Sequence, residues 1–104
     1  MTVATMEGRD IYVDAEGFLT DPMEWDESLA ATLATNIGLE LTEGHWSAIR
    51  FARSDYAANG ETPTLRRMAT AGGVPTKEMF ALFPKKPAKK MAYVAGLPKP
   101  VGCV

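Results

Sequence analysis

Cysteine and histidine are nearly absent from this chain of 104 residues, which has one of each, Cys103 and His45. A single cysteine excludes an internal disulfide framework and a multi-cysteine metal site, and one histidine leaves a closed zinc site without ligands. The chain also lacks a phosphate-binding glycine loop and a dinucleotide-binding fingerprint. We therefore predict that the protein uses no metal and no cofactor, and that His45 is a structural or solvated residue.

Long apolar segments are absent as well. No run approaches the roughly 18 apolar residues that a membrane span requires. The first ten residues also lack the basic region followed by an apolar run that marks a secretory signal. We expect a cytoplasmic protein that has no membrane partner. The hydrophobic fraction of 46% is nevertheless enough for the modest core of one domain.

Acidic residues are missing from the last 20 positions, although the whole chain has 13 of them. Five lysines fall in that stretch, namely Lys85, Lys86, Lys89, Lys90 and Lys99. The basic surface therefore coincides with the end of the chain that has the cysteine. These lysines are predicted to bind a partner protein, the alternative being a solvated helix face. The net charge of −2 disfavours strong binding of free nucleic acid.

Apolar periodicity and breaker residues predict five helices after a short hairpin. The hairpin is expected within residues 6–19, with its turn at 14–17. The helices are expected at about 23–37, at 43–58, after Thr62 and Pro63, after the GGVP breaker at 72–75, and at about 87–95. Trp25, Trp46 and Phe83 are predicted to anchor the core. These patterns indicate a mainly α (α+β) fold, a small helical bundle with an N-terminal β-hairpin.

The GGVP breaker separates two short helices in a way that resembles a DNA-reading helix-turn-helix. The helix after the breaker offers one lysine, Lys77, against one glutamate, Glu78. An acidic body with so few basic residues at this point disfavours DNA binding. A packing unit of the core is the preferred interpretation of this helix-turn-helix-like element.

The last seven residues, 98–104, are not compatible with a helix. Pro98 and Pro100 remove backbone donors and fix φ, and Gly102 loosens the end. We predict one domain at residues 1–97 followed by a flexible C-terminal arm at 98–104 that presents Cys103. An exposed thiol is expected there, the alternative being an arm that docks back onto the helices.

A lone thiol on an arm can carry a group covalently with little other machinery. No histidine lies near Cys103 in the sequence and no oxyanion loop is recognisable, so acyl-transfer catalysis is poorly supported. Persulfide transfer requires only a thiolate that attacks the outer sulfur of a donor. The neighbouring lysines favour the thiolate, whereas the terminal carboxylate of Val104 opposes it.

The last ten residues, AGLPKPVGCV, closely resemble the signature ending of the DsrC/TusE family of small sulfur-relay proteins. Shorter segments also resemble that family and occur in the right order along the chain. They are VDAEGFL at 13–19, LTEGHW at 41–46 with Ile49, Phe51 and Tyr56 after it, PTLR at 63–66, LFP at 82–84 and PAK at 87–89. The resemblance therefore covers the whole chain, and its most specific part is the ending.

The resemblance implies a helical domain with an N-terminal hairpin, a helix-turn-helix-like core and a C-terminal arm. It also implies a sulfur carrier, at most a sulfurtransferase acting with partner enzymes, that accepts and passes on persulfide sulfur at Cys103. The implied donor is a TusBCD/DsrEFH-like protein, and the implied acceptor is a tRNA thiouridylase or a sulfite reductase. Arg66, in the PTLR segment, is assigned a role near the docked arm, with a surface ion pair as the alternative.

One departure from the family pattern concerns the second cysteine of the arm. Family members that work with dissimilatory sulfite reductase have it eleven residues before the penultimate cysteine, and that position is Ala92 here. An internal arm disulfide is therefore excluded, as in TusE, which relays sulfur towards 2-thiouridine in tRNA. The segment between Arg66 and Phe83 is nevertheless nearer in length to the sulfite-reductase-associated members. A sulfur- or redox-responsive regulator that binds DNA or a partner is the alternative function.

Overall fold

A tight antiparallel hairpin begins the fold in the computed structural model, which describes residues 2–100. Strand β1 (Thr2–Met6) pairs with strand β2 (Arg9–Val13) in a two-stranded sheet. Glu7 and Gly8 form the turn, and both have positive φ, 54° and 74°, which matches the twist of a two-residue hairpin. The hairpin packs on the helices through Ile11 and Val13, the buried side chains of β2.

The prediction for the hairpin was wrong in its position. The segment 14–17 is a turn, closed by a hydrogen bond from the Gly17 amide to the Asp14 carbonyl oxygen at 3.0 Å. Pairing across that turn is short: one antiparallel bridge between Val13 and Leu19, with backbone hydrogen bonds from Asp14 to Phe18 and from Thr20 to Tyr12. The longer pairing forms one turn earlier, because the segment before Glu7 supplies a full partner strand for β2.

The first predicted helix is divided into two pieces. A 3-10 helix (Pro22–Glu24) comes first, and helix α1 (Glu27–Asn36) begins only after Trp25. The division has a local cause, since the Asp26 carboxylate accepts the Leu29 amide at 2.8 Å and starts a new helix. The buried face of α1 is formed by Leu29, Ala30, Leu33 and Ala34.

Helix α2 (Glu43–Asn59) confirms the prediction for residues 43–58 almost to the residue. Its start is held by His45, whose Nδ1 accepts the Thr42 amide at 3.1 Å. Nε2 therefore keeps the proton and donates to the Leu82 carbonyl oxygen at 2.6 Å. His45 is buried edge-on against Phe83, and this confirms that it is a structural residue.

Three short helices complete the fold. They are α3 (Leu65–Thr70), α4 (Thr76–Leu82) and α5 (Pro87–Val94). The turn between α3 and α4 requires glycine, because a Cβ on Gly72 would lie 2.8 Å from both the Met68 carbonyl oxygen and a ring carbon of Phe51. The helix-turn-helix-like element therefore packs directly on α2.

Helix α5 lies at the centre of the molecule, in contact with α1, α2 and α4. The main core contains Phe83, which is fully buried, with Trp25 and Trp46 partly buried at its margin. The remaining core is unusually rich in methionine, with Met68, Met79 and Met91 all fully buried. Within residues 2–100, no helix is both long and apolar enough to cross a membrane. The mainly α fold with an N-terminal hairpin is thus confirmed.

Candidate functional site

The end of helix α5 is the point from which the C-terminal segment leaves the body. Gly96 has a φ of +68°, and the next amide, that of Leu97, donates to the Ala92 carbonyl oxygen at 3.0 Å. The Gly96 amide donates to the Tyr93 carbonyl oxygen at 3.3 Å, which completes a Schellman ending. This motif reverses the chain within two residues and sends it back along the body.

Two side chains from distant elements bind the other carbonyl groups at this end. Trp25 Nε1 donates to the Val94 carbonyl oxygen at 2.8 Å, and Arg53 Nη1 donates to that of Ala95 at 2.7 Å. Together with the Schellman bonds, they satisfy every carbonyl from residue 92 to residue 95. The exit direction of the chain is therefore set by tertiary contacts as well as by the helix ending.

Arg53 and Trp25 also contact each other directly, in a cation–π interaction. The Arg53 guanidinium carbon lies 4.1 Å from the centre of the Trp25 ring, and Nη2 donates to the Pro22 carbonyl oxygen at 3.0 Å. Burial lowers the pKa of Arg53, which still leaves the guanidinium charged at neutral pH. Gly96 lies against the same ring, where a Cβ would come within 2.4 Å of Trp25 Cδ1. We call Trp25, Arg53 and Gly96 the arm joint.

The first three residues of the predicted arm, 98–100, pack on the body, and we call them the seated segment. The Pro98 carbonyl oxygen accepts the Thr62 hydroxyl at 2.7 Å, and Pro100 is buried. Lys99 lies between them with its Nζ 3.0 and 3.1 Å from the two carboxylate oxygens of Glu16. Cys103 and the rest of the predicted arm lie outside the described residues. The domain boundary at residue 97 and the exposure of the thiol stay predictions.

Glu16 connects the seated segment with helix α5. Its carboxylate binds Lys99 and, at 3.4 Å, also Lys89. The hydrogen bond from Lys99 lowers the pKa of Glu16 below its usual value, against a smaller opposing effect of burial. Glu16 is exposed, so these pairs position the segment without contributing much to stability.

Four of the five predicted lysines are brought together around the start of α5. Lys85 and Lys86 form the exposed turn before the helix, and Lys89 and Lys90 occupy its first turn. Lys86, Lys89 and Lys90 line one side of a groove of about 420 Å³. The other lining residues are Glu16, Gly17, Phe18, Ile37 and Tyr93. We call this the lysine groove. It adjoins the seated segment, because Glu16 lines the groove and also binds Lys99.

Arg66 is exposed on α3, and its guanidinium has no hydrogen-bonding partner among residues 2–100. The next residue, Arg67, forms the ion pair of this region: its Nη2 lies 2.8 Å from Asp55 Oδ1, and its Nε lies 3.2 Å from both carboxylate oxygens. This pairing lowers the pKa of the buried Asp55. No ion pair of Arg66 is found among residues 2–100, and its role near the docked arm stays a prediction.

Three contacts at the arm joint and the seated segment have no clear signal in the sequence. Arg53 follows the core residue Ala52 in α2, and its interior partners are backbone carbonyls more than 30 residues away. Thr62 and Glu16 likewise bind residues distant along the chain. Only Gly96 could have been recognised, as the residue that ends a predicted helix.

The comparisons with known proteins agree with this architecture over nearly the whole chain. The family model described as "DsrC like protein" matches residues 5–104. Sulfurtransferase TusE of Pectobacterium atrosepticum is 42% identical, with 94% of this chain and 96% of the relative covered. TusE of Yersinia pseudotuberculosis is 41% identical over 94% of this chain and 97% of its own length.

Two solved structures have the same fold. The NMR structure of Allochromatium vinosum DsrC has a TM-score of 0.85 and 37% identity, covering 98% of this chain and 97% of that one. The oxidized γ-subunit of dissimilatory sulfite reductase (DsrC) from Archaeoglobus fulgidus has a TM-score of 0.79 and 36% identity, covering 99% and 100%. Both the helical body and the N-terminal hairpin are therefore shared.

A small helical body with a seated C-terminal segment is the fold shared with these relatives. Among residues 2–100 there is no cluster of His, Cys, Asp or Glu that could hold a metal ion. The chain belongs to the DsrC-like family. It is a sulfur-relay carrier, and the alternative of a DNA- or partner-binding regulator has no support.

Proposed function

We propose that Cys103 is the residue that accepts and passes on the sulfur. Its thiolate attacks the outer sulfur of a donor persulfide, the donor S–S bond breaks, and the donor thiolate leaves. Cys103 then holds a persulfide, whose outer sulfur is taken in the same way by an acceptor thiolate, so no external oxidant or reductant is needed. Cys103 is the only thiol in the chain, and this observation carries the proposal.

The seating of residues 98–100 on the body limits where the thiol can be. Pro100 is buried on the body, and Cys103 follows it three positions later. A fully extended chain of that length reaches about 10 Å. A donor or acceptor must therefore approach the body closely, and the residues around the arm base become part of the encounter surface.

Ala92 favours a TusE-like branch of the relay, towards thiolation of tRNA. A chain with one thiol cannot release sulfur by closing an internal disulfide, so the sulfur must move to a thiol of a partner. The donor is then a TusBCD/DsrEFH-like protein and the acceptor a tRNA thiouridylase. A sulfite reductase as acceptor is the second candidate, favoured by the structural neighbour titled as the γ-subunit of that enzyme. A cytoplasmic location stays a prediction.

Intact-mass spectrometry after incubation with a small-molecule persulfide donor tests the carrier function. We expect a gain of about 32 mass units per sulfur atom, lost again on reduction. The Cys103→Ser variant should gain nothing under the same conditions. A wild-type protein that gains no sulfur from several chemically different donors would overturn the assignment of Cys103.

A further inference from the structure

The lysine groove combines an apolar floor with a positively charged rim. Phe18 and Tyr93 form the floor in an edge-to-face pair with ring centres 6.1 Å apart, and Ile37 lies beside them. The Tyr93 hydroxyl accepts from Asn36 at 3.3 Å, which fixes the ring. Such a surface can receive an apolar side chain, while the rim binds negative charge on either side of it.

The rim has more positive charge than the body neutralises. Glu16 is the one carboxylate lining the groove, and it binds Lys89 and Lys99. Within the described part of the chain, no carboxylate pairs with Lys86 or Lys90. Lys90 instead donates to the Pro84 carbonyl oxygen, which holds its ammonium group at the mouth. A negatively charged ligand would supply the missing partners.

The backbone at the rim is strained in a way that the hydrophobic core does not require. Lys85 and Lys86 have φ values of 59° and 32°, the left-handed region that side chains other than glycine rarely adopt. Both residues are exposed, so no buried contact of their own offsets this cost. Strain of this kind persists most often at binding and switch sites. One of the two strained residues, Lys86, lines the groove.

The groove also lies where a partner of Cys103 must come. The thiol is within about 10 Å of Pro100 along an extended chain, and the segment before Pro100 is tied to the groove wall through Lys99 and Glu16. A protein whose active site receives the thiol would therefore cover this part of the surface. Docking in the groove would place that active site over the end of the chain.

We propose that the lysine groove binds an acidic segment of the relay partner, one that inserts an aliphatic or aromatic side chain between its carboxylates. This proposal rests on the carrier function, because the partner is the protein that exchanges sulfur with Cys103. A peptide segment fits better than RNA for two reasons. The floor is apolar and small. The first 84 residues have 13 acidic residues against six basic ones, and this excess of negative charge would repel a phosphate backbone.

Titration of the ¹⁵N-labelled full chain with a synthetic peptide tests the proposal. The probe has a leucine and a phenylalanine flanked on both sides by glutamates. One control peptide replaces the glutamates with glutamines, and a second replaces the two apolar residues with serines. We expect chemical-shift changes centred on Phe18, Ile37 and Tyr93 with the probe, and affinities at least about tenfold lower with both controls.

A matched pair of charge reversals separates the groove from net charge. The double variant Lys86→Glu/Lys90→Glu should lower the affinity for the probe about tenfold, with most of the change in the association rate. The variant Arg50→Glu/Lys77→Glu changes the net charge equally, but at exposed positions outside the groove. It should lower the affinity less than about twofold in physiological salt, where charges are screened beyond about 8 Å.

Several results would overturn the docking proposal. Equal losses in the two double variants would show an effect of net charge alone. Binding of unmodified tRNA at the groove residues in preference to the probe would assign the groove to RNA. Concentration-dependent shifts of the same residues without peptide would assign it to a second copy. Binding that strengthens strongly after deletion of residues 102–104 would assign it to the chain's own end.

The test distinguishes failure of docking from failure of the carrier function. Sulfur gain at Cys103 from a small-molecule donor requires no groove, so the Lys86→Glu/Lys90→Glu variant should reach the same final mass as the wild type, even if the change of charge alters the rate. Normal sulfur gain without probe binding would sink the docking proposal alone. Probe binding without any sulfur gain would sink the assignment of Cys103 instead.

Discussion

The arm joint lies at the end of α5 and the lysine groove at its start, and the two are built from opposite kinds of interaction. At the joint, Trp25 and Arg53 bind the carbonyl groups of α5, and Gly96 permits close contact. At the groove, lysines surround an apolar floor, and one of them, Lys86, has a strained backbone. Buried hydrogen bonds to backbone groups are costly to break, whereas exposed charges contribute little to stability. The joint is therefore suited to fix the start of the C-terminal segment, and the groove is suited to bind a partner protein.

The largest effect is expected for Gly96→Ala at the joint. A Cβ there would lie 2.4 Å from Trp25 Cδ1, on a backbone with a φ of +68°. We expect a loss of about 3 kcal/mol in the free energy of unfolding, measured with urea.

Gly38→Ala is the matched control. Gly38 has a φ of +74°, but a Cβ added there would have no atom within 4 Å. It should cost about 1 kcal/mol, the effect of the backbone alone. Equal losses would mean that contact with Trp25 is unimportant.

A somewhat smaller effect is expected for Arg53→Met. The substitution keeps the apolar stem but leaves the Ala95 carbonyl oxygen without its donor, and the Pro22 carbonyl oxygen with only the Trp25 amide. We expect a loss of about 2 kcal/mol in the free energy of unfolding. The control is Arg50→Met, one turn earlier on α2, where the exposed side chain lies 3.6 Å from Glu27. That substitution should cost less than about 0.5 kcal/mol. A neutral Arg53→Met would show that the joint does not need these bonds.

A pH-dependent effect is expected beside Thr62, the residue that binds Pro98 of the seated segment. Asp55 and Arg67 line the same pocket as Thr62, which holds Pro98. Arg67 holds the pKa of Asp55 below its usual value, so the stabilisation is present above the unfolded-state pKa of about 3.9 and is lost as the pH falls through the lower folded-state value. Arg67→Gln should therefore destabilise the protein at neutral pH, and its difference from the wild type should shrink in acid.

Arg66→Gln is the control for this prediction. Arg66 is exposed and is the neighbour of Arg67 on α3. Its replacement removes the same charge without touching Asp55. Its free energy of unfolding, measured by urea titration at intervals of about one pH unit from about pH 2 to about pH 7, should therefore match that of the wild type. A pH-dependent loss in Arg66→Gln, or a difference for Arg67→Gln that persists unchanged in acid, would contradict the assignment of the ion pair.

The smallest effect is expected at the groove, and it has the opposite sign. Lys86→Gly relieves a φ of 32° on an exposed residue. We expect a gain of about 0.5 to 1 kcal/mol in the free energy of unfolding, together with weaker binding of the acidic probe peptide. Lys77→Gly, in the exposed part of α4, should instead lose about 1 kcal/mol. A loss of stability in Lys86→Gly would show that the turn is structural and would weaken the contrast with the joint.

Features that depend on neighbouring residues could be predicted from the amino-acid sequence. Helix α2 begins and ends within one residue of the prediction, because Thr42 caps its start and Gly60, with a φ of 75°, ends it. Pro87 and Gly96 bounded α5 in the same way. The AGLPKPVGCV ending indicated the family through ten contiguous residues. In each case the deciding groups lie within a few residues of one another.

Features that depend on partners far apart in the sequence followed only from the packed fold. The hairpin position and the late start of α1 were mispredicted for local reasons, namely the strand before Glu7 and the cap at Asp26. Arg53 reaches a carbonyl 42 residues away, and Lys99 reaches a carboxylate 83 residues away. Composition and periodicity report which faces are apolar, but they do not say which distant carbonyl or carboxylate a charged side chain will meet. That pairing follows only when the packed helices bring the groups together, since desolvation then makes each unmet group costly.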